Sequence, residues 1–467
     1  MSVSQLPLER LDKVENYGHS RHTVAYVYRP NQVAQIEEVF ALARRAGLSV
    51  ALRGAGRSYG DAATNSGQVV LDLQRMNRIL DWNPATGVIK VEPGVTIAQI
   101  WQHVLEDGYW PPVTSGTMFP TIGGALAHNI HGKNNTKAGT LGEHVLEFTA
   151  LLPNGEQVTC TPTENSELFY ALISTAGLLG VFTSVTLKLK KLHTGLVDVH
   201  AWAMTHLGEM MRDLDERKHE FDYIVGWVDT LDHNGRGQIH GANYVHDAPN
   251  AAETLRLDKQ VLPDTFFGLV PKSTLWMFMT PFMNNVGTRL INTAKYVFSA
   301  TLEQRKIYRQ SLVEFNYLLD YVPNWEKSYG RSGLIQYQTF IPLATATDAY
   351  LEMLRLAQRR GMPPFLGVTK RHRPDRFLFT HAVDGYSFAM DFKVTNAARL
   401  QKLCGEMSDI ALEAGGRFYF AKDSTLTPDR ARRYLGEATL SKFQALKAQC
   451  DPENLLQSDL YRRLFVG

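Results

Sequence analysis

A chain of 467 residues is longer than one ordinary domain, and 44% hydrophobic with 21% charged residues excludes a disordered polypeptide. The net charge of +2 gives no ground for nucleic acid as a partner, and the basic pairs Arg432-Arg433 and Arg462-Arg463 read as solvated helix faces. Cys160, Cys404 and Cys450 stand far apart, which speaks against a disulfide framework or a zinc site. Met1 to Glu15 lacks an apolar signal core and no stretch reaches the ~18 consecutive apolar residues of a membrane span, so the expectation is a soluble, cytoplasmic protein.

Pro30 to Gly47 predicts a helix, with Val33, Ile36, Val39, Phe40 and Leu42 near a 3.6-residue period between a proline start and a glycine stop. Leu48 to Leu52 predicts a strand. It runs into Arg53-Gly54-Ala55-Gly56-Arg57-Ser58-Tyr59-Gly60-Asp61. Two glycines one residue apart permit a sharp turn whose N–H groups can form an anion-binding nest, with Arg53 and Arg57 adding charge. An ordinary glycine turn with two solvated arginines is the alternative. The spacing G-x-G-x-x-x-G misses the dinucleotide fingerprint of a Rossmann domain.

Short strands follow at Val69–Leu73, Ile79–Trp82 and Val88–Glu92, then a helix over Thr96–Asp107 with Thr96 as N-cap. Ser115 to Gly142 holds glycines at 116, 123, 124, 132, 139 and 142, with His128, His131 and Lys133 among them. Such a stretch suits close approach of backbone to a large flat ligand. Val145–Leu152 and Gln157–Cys160 predict a hairpin turning at Asn154-Gly155. Ser166–Ala176 predicts a helix and Val181–Leu189 a strand.

A boundary near Lys190 to Gly195 opens a second region. Strands are expected at Tyr223–Val228, Gln238–Val245, Leu334–Ile341, Phe377–Val383 and Ser387–Lys393, and helices at Thr345–Arg360 and Asn396–Ala414. The apolar cluster Phe266 to Phe282 packs as core or interface, or forms a greasy flap over a lipid-bearing substrate or against a membrane. Phe418 to Ser424 reads as a strand entering a loop, with Lys422 a candidate surface ion pair with its neighbour Asp423. A helical tail ends the chain. The class is α+β.

R-G-A-G-R-S-Y-G-D at 53–61, I-H-G-K-N at 130–134, Q-Y-Q at 336–338 and A-K-D-S at 421–424 resemble the vanillyl-alcohol-oxidase type of FAD-dependent oxidoreductases, and within it the decaprenylphosphoryl-ribose oxidase group. The resemblance implies an FAD-binding domain over 1–192, a substrate-cap domain of antiparallel sheet with helices over 193–412, and a segment 413–467 returning to the FAD domain and active site. It implies FAD contacts from Arg53, Gly54, Ala55, Gly56, Arg57, Ser58, Tyr59, Gly116, Thr117, Thr121, Ile122, Gly123, Gly124, His128, Asn129, Ile130, His131, Gly132, Gly180, Phe182 and Tyr419. Tyr59, His131, Gln336, Gln338, Lys370 and Lys422 are implied as the catalytic and substrate-pocket set. Lys422 would act either as the base or as a charge stabiliser.

The implied reaction oxidises the 2′-hydroxyl of a polyprenyl-phosphate pentose or related glycolipid. A short-chain reductase partner would complete an epimerisation, and 266–282 is a candidate for peripheral membrane contact. Oxidation of small soluble polyols or aldonolactones is the alternative. Arg57 stands where many covalent flavoproteins have histidine, which implies non-covalent FAD. Ala389 and Asn135 stand where the ribose-oxidase group has cysteine and histidine.

Overall fold

In the computed structural model, which describes residues 6–266 and 270–466, helices surround one mixed and several antiparallel sheets, an α+β arrangement. Four strands gather near the N-terminus: β1 (Leu11–Glu15), β2 (His22–Tyr28), β3 (Val50–Arg53) and β4 (Val69–Asp72), in the order β1–β2–β4–β3. β4 runs parallel to both β2 and β3. A parallel pairing needs a crossover, and α1 (Val33–Ala46) lies between β2 and β3, burying Ile36, Val39, Phe40 and Ala43. It stops at Gly47, whose φ of 67° the glycine tolerates.

The next sheet is antiparallel: β5 (Ile79–Asn83), β6 (Val88–Val91), β7 (Val145–Leu151), β8 (Gln157–Cys160) and β9 (Val181–Lys188), ordered β5–β6–β9–β7–β8. Between β6 and β7 run α2 (Ile97–Val104) and α3 (Ile122–Ala127). Thr96 caps α2 in a capping box with Gln99, as its sequence position suggests. The helix expected over 166–176 stops at Leu172, because Ser174 (φ 91°) and Ala176 (φ 54°) leave helical space.

The largest sheet has eight strands. They are β10 (Leu196–Met204), β11 (Tyr223–Val228), β12 (Gly237–Tyr244), β13 (Lys306–Ser311), β14 (Leu334–Pro342), β15 (Leu366–His372), β16 (Gly385–Lys393) and β17 (Arg417–Phe418). Their order is β13–β10–β12–β11–β15–β16–β14–β17, with every recorded pair antiparallel. α4 (Leu207–Glu216) precedes β11, α5 (Asn285–Phe298) lies between β12 and β13, and α6 (Leu343–Arg359) and α7 (Ala397–Glu413) follow β14 and β16. One face of the sheet packs on α4, α6 and α7. Tyr386 donates to Met211 O (2.5 Å), Phe388 meets Tyr350 edge-on, and Tyr337 bonds Ser408 (3.2 Å). Side chains alternate across a strand, so Gln336, Gln338, Ser387, Ala389 and Asp391 face the other way.

The stretch 377–383 is not a strand. Phe377 and Phe379 insert into the core, and the Phe379 N–H donates to Ser174 Oγ (3.1 Å) rather than to a ladder. The aromatic cluster near 266–282 is not core: Met277, Phe278 and Phe282 are exposed, and residues 267–269 lie outside the described residues. No helix among the described residues is long and apolar enough to cross a membrane.

Candidate active site

The chain leaves β3 through the glycine turn. Gly56 has φ 65°, and a Cβ there would stand 2.2 Å from Arg53 Nη2. Gly54 lets the turn lie against the loop before α3, since a Cβ would stand 2.1 Å from Thr121 Oγ1. Arg53 does not offer its charge to a ligand. Its guanidinium donates to Glu15 O (2.9 Å) and Ala63 O (3.2 Å), bracing the turn from behind. Arg57 lies over the rings of Tyr17 and Phe119, at 5.0 and 5.1 Å from their centroids, and its buried Nε lacks a partner among the described residues. The N–H groups of residues 55–58 have no protein acceptor among the described residues, which is the signature of a nest awaiting an anion.

This turn forms one wall of a cavity of about 530 Å³, a size ordinary for ligand sites. The loop carrying Gly116 and Thr117 and the 121–132 segment form a second wall, and the free face of the large sheet forms the third. Strand register explains which residues that face presents. Gln336 pairs with Asp391 and Gln338 with Ala389. Ala389 pairs with Val368, Val368 with Trp227, and Val225 with His240. One row therefore runs from Gln338 on β14 through Ala389 and Val368 to Trp227 on β11, and His240 on β12, paired with Val225 two residues before Trp227, lies beside its end on the same face. Lys422 enters from the turn after β17, its Nζ 3.9 Å from the centre of the Tyr59 ring.

The electrostatics are lopsided. Burial pushes Lys133 down to about 7 and Lys370 to about 8. Lys422 is lowered by burial and by Lys370, and partly restored by Asp391. Asp391 is raised by burial, against the pull of its hydrogen bond from Gln336 Nε2 (2.6 Å) and of Lys422. Its Oδ2 is buried without a partner among the described residues, as is Tyr59 Oη. Burial lowers His128 to about 4 and pushes His131 well below its ordinary range. The Gln338 side-chain amide lies within hydrogen-bonding distance of His131 Nε2 (3.2 Å).

Residues 24–161 match a family described as an FAD binding domain. Over 99% of both chains the sequence is 29% identical to decaprenylphosphoryl-beta-D-ribose oxidase of Mycolicibacterium smegmatis. A putative D-arabinono-1,4-lactone oxidase of Neurospora crassa is 31% identical over 34% of this chain and 28% of its own. L-gulonolactone oxidase of Bos taurus is 30% identical over 38% of this chain and 40% of its own. The chain is an FAD-dependent oxidoreductase. It resembles decaprenylphosphoryl-beta-D-ribose oxidase along its whole length.

The oxidoreductase's cavity fits FAD. The unpartnered amides of 55–58 suit the pyrophosphate, while glycines at 54, 116, 123, 124 and 132 leave the walls without side chains. Every residue expected at the site lines this cavity except Ile122 and Asn129. Ile122 points into the core beneath α3. Asn129, at φ 45°, ties its own segment to the 140–142 turn: its Oδ1 accepts from Gly142 N (2.8 Å) and its Nδ2 donates to Thr140 Oγ1 (2.9 Å). Lys422 makes no ion pair with its neighbour Asp423, which Arg463 engages instead.

Asp391, Lys133, Trp227, His240 and Lys295 also line the cavity or touch its polar groups and were not expected there. The alternation of β16 and β11 carries the signal for Asp391 and Trp227, once register with Gln336 and Val368 is known. Ala389 leaves open the space between Gln338 and Val368. Asn135 is buried outside the cavity, where its Oδ1 accepts from Arg373 N (3.1 Å).

Proposed function

We propose that this oxidoreductase converts a secondary hydroxyl of a sugar to a ketone, its substrate being the 2′-hydroxyl of a pentose carried on a polyprenyl phosphate. The observation that carries this reading is the meeting of two side-chain amides, Gln336 and Gln338, with Lys422 on the sheet face opposite the glycine turn. Paired amides match vicinal sugar hydroxyls, which both donate and accept. Similarity along the full chain to an enzyme named for a decaprenylphosphoryl ribose supports the substrate class.

FAD, when bound, supplies a two-electron hydride acceptor. The chain's own groups do the rest. Residues 54–59, 116–117, 121–124, 128–132, Gly180, Phe182 and Tyr419 hold the cofactor, with Arg53, Ile122 and Asn129 acting from behind the wall. Gln336 and Gln338 orient the sugar, and Lys422 Nζ, neutral at its working pH, accepts the hydroxyl proton as the adjacent carbon is oxidised. The product is a keto sugar, which a short-chain reductase returns to an alcohol of inverted configuration.

The test is anaerobic bleaching of the FAD-loaded protein. A polyprenyl-phosphoryl pentose is expected to reduce the flavin. Bleaching by a free polyol or aldonolactone, with none by any phosphorylated lipid sugar, would move the enzyme to the company of the lactone oxidases.

A further inference from the structure

α5 is turned inside out. Thr288, Asn292 and Ser299, spaced along one stripe in and just beyond the helix, are buried, whereas Val286 (80% exposed) and Leu290 (64%) face solvent with Val297 and Phe298. A surface helix normally buries its apolar stripe. Lys295 belongs to the buried polar side by spacing, three residues after Asn292. Its stem is exposed, but its ammonium reaches inward, 4.1 Å from the centre of the Trp227 ring, and lines the cavity beside His240.

Lys295 has no hydrogen-bonded carboxylate among the described residues. Glu303, the acid whose field it feels, is engaged by Gln238 Nε2 (2.8 Å) and Ser299 Oγ (3.3 Å). Lys133, the other cation near His240, is held by the carbonyls of Phe315 and Asn316. Lys295 therefore stands on the cavity wall as a cation with no hydrogen-bonded carboxylate of its own among the described residues, a charge that a bound anion would complement.

The row of residues on the sheet face spans β14, β16, β15, β11 and β12, four inter-strand steps or roughly 19 Å. A pentose bound at Gln336 and Gln338 fills only one end. We propose that the far end, with Lys295 as its key residue and Trp227, His240 and Lys133 around it, is an anion subsite for a phosphate that carries an apolar chain. Lys295 sets the preference for phosphate-bearing over neutral substrates. This inference rests on the proposed substrate class and assigns it a residue.

The FAD-loaded enzyme, its Lys295→Met variant and its Lys295→Arg variant are to be titrated calorimetrically with farnesyl phosphate, farnesol and inorganic phosphate. Lys295→Met is expected to weaken farnesyl phosphate by about tenfold or more, the scale of a lost charge-assisted contact, and to leave farnesol unchanged. Lys295→Arg keeps the charge and should retain most of the affinity, which separates charge from folding. Three results overturn the subsite: no binding of farnesyl phosphate by the wild type, an unchanged affinity in Lys295→Met, or equal losses for the phosphate and the alcohol. Inorganic phosphate binding as tightly as farnesyl phosphate would assign the site to the free ion and sink the lipid-phosphate assignment. If farnesyl phosphate binds through Lys295 but no phosphorylated sugar bleaches the flavin, the subsite stands and the oxidation reading falls. If such a sugar bleaches the flavin with the same KM in Lys295→Met, the subsite falls and the oxidation reading stands.

Discussion

Lys422 lines the cavity with Asp391 close by, and neither behaves as an exposed residue would. Burial favours the neutral form of each, while their mutual attraction favours the charged forms, so they titrate as a pair. Burial lowers Lys422, so its neutral form is more accessible than that of a solvated lysine. If neutral Lys422 takes the substrate proton, flavin reduction under single-turnover conditions rises with pH, with its midpoint below the ordinary lysine range. Lys422→Met should lower that rate by roughly 10²–10⁴, the range for a lost general base. Asp391→Asn removes the attraction that raises Lys422, so the rising limb should move to lower pH; a midpoint that stays put would show that the two do not interact. A rate that instead falls with rising pH would make Lys422 a cationic stabiliser. Arg57 bears on the cofactor. A guanidinium cannot form the flavin linkage that histidine can, so acid precipitation should leave the yellow colour in the supernatant, and colour retained by the pellet would contradict this.

The glycine turn and the sheet face depend on different kinds of information, and the sequence exposed them unequally. The turn is local: Gly54 and Gly56 announce it, and the structure places both where a Cβ would collide, against Thr121 and Arg53. Gly54→Val should therefore separate the turn from the 121 loop. We expect a sub-stoichiometric flavin-to-protein absorbance ratio with a native far-UV dichroism spectrum, and full flavin content in this variant would refute the close-packing role. α1, α2 and the 145–160 hairpin were readable for the same local reason, through period, caps and Asn-Gly. The sheet face is non-local. Trp227, Ala389 and Gln338 become neighbours only through the register of four antiparallel strands, two of which leave β11 and β15 paired across well over a hundred residues. β10 does alternate, with Val197, Val199 and Ala201 inward, and could have been found. The 377–383 run misled because an apolar segment that plugs a core looks like a strand.

The C-terminal helix Asp459–Phe465 explains how parts so distant in sequence hold one cavity. Arg463, which its sequence context made a solvated face residue, is instead drawn between two buried carboxylates. It donates to both Asp61 oxygens (2.8 and 2.7 Å) and to Asp423 Oδ2 (2.9 Å), and to Leu426 O (2.7 Å). Asp61 closes the glycine turn and Asp423 follows Lys422, so one guanidinium ties the glycine-turn wall to the segment that carries Lys422. The backbones meet there too: a Cβ on Gly60 would stand 1.8 Å from Asp423 O. Removing one partner from a buried ionic cluster strands the others, at about 3–5 kcal/mol. Arg463→Met should therefore lower the unfolding midpoint followed by dichroism and release flavin fluorescence at a still lower temperature, because the tie lies at the cofactor wall. Arg463→Lys keeps the charge but cannot span both carboxylates with a planar fork, so it should recover only part of the loss. If flavin release and global unfolding in Arg463→Met coincide at the wild-type temperature, the helix is a passive neighbour and the cavity is held together by the sheets alone.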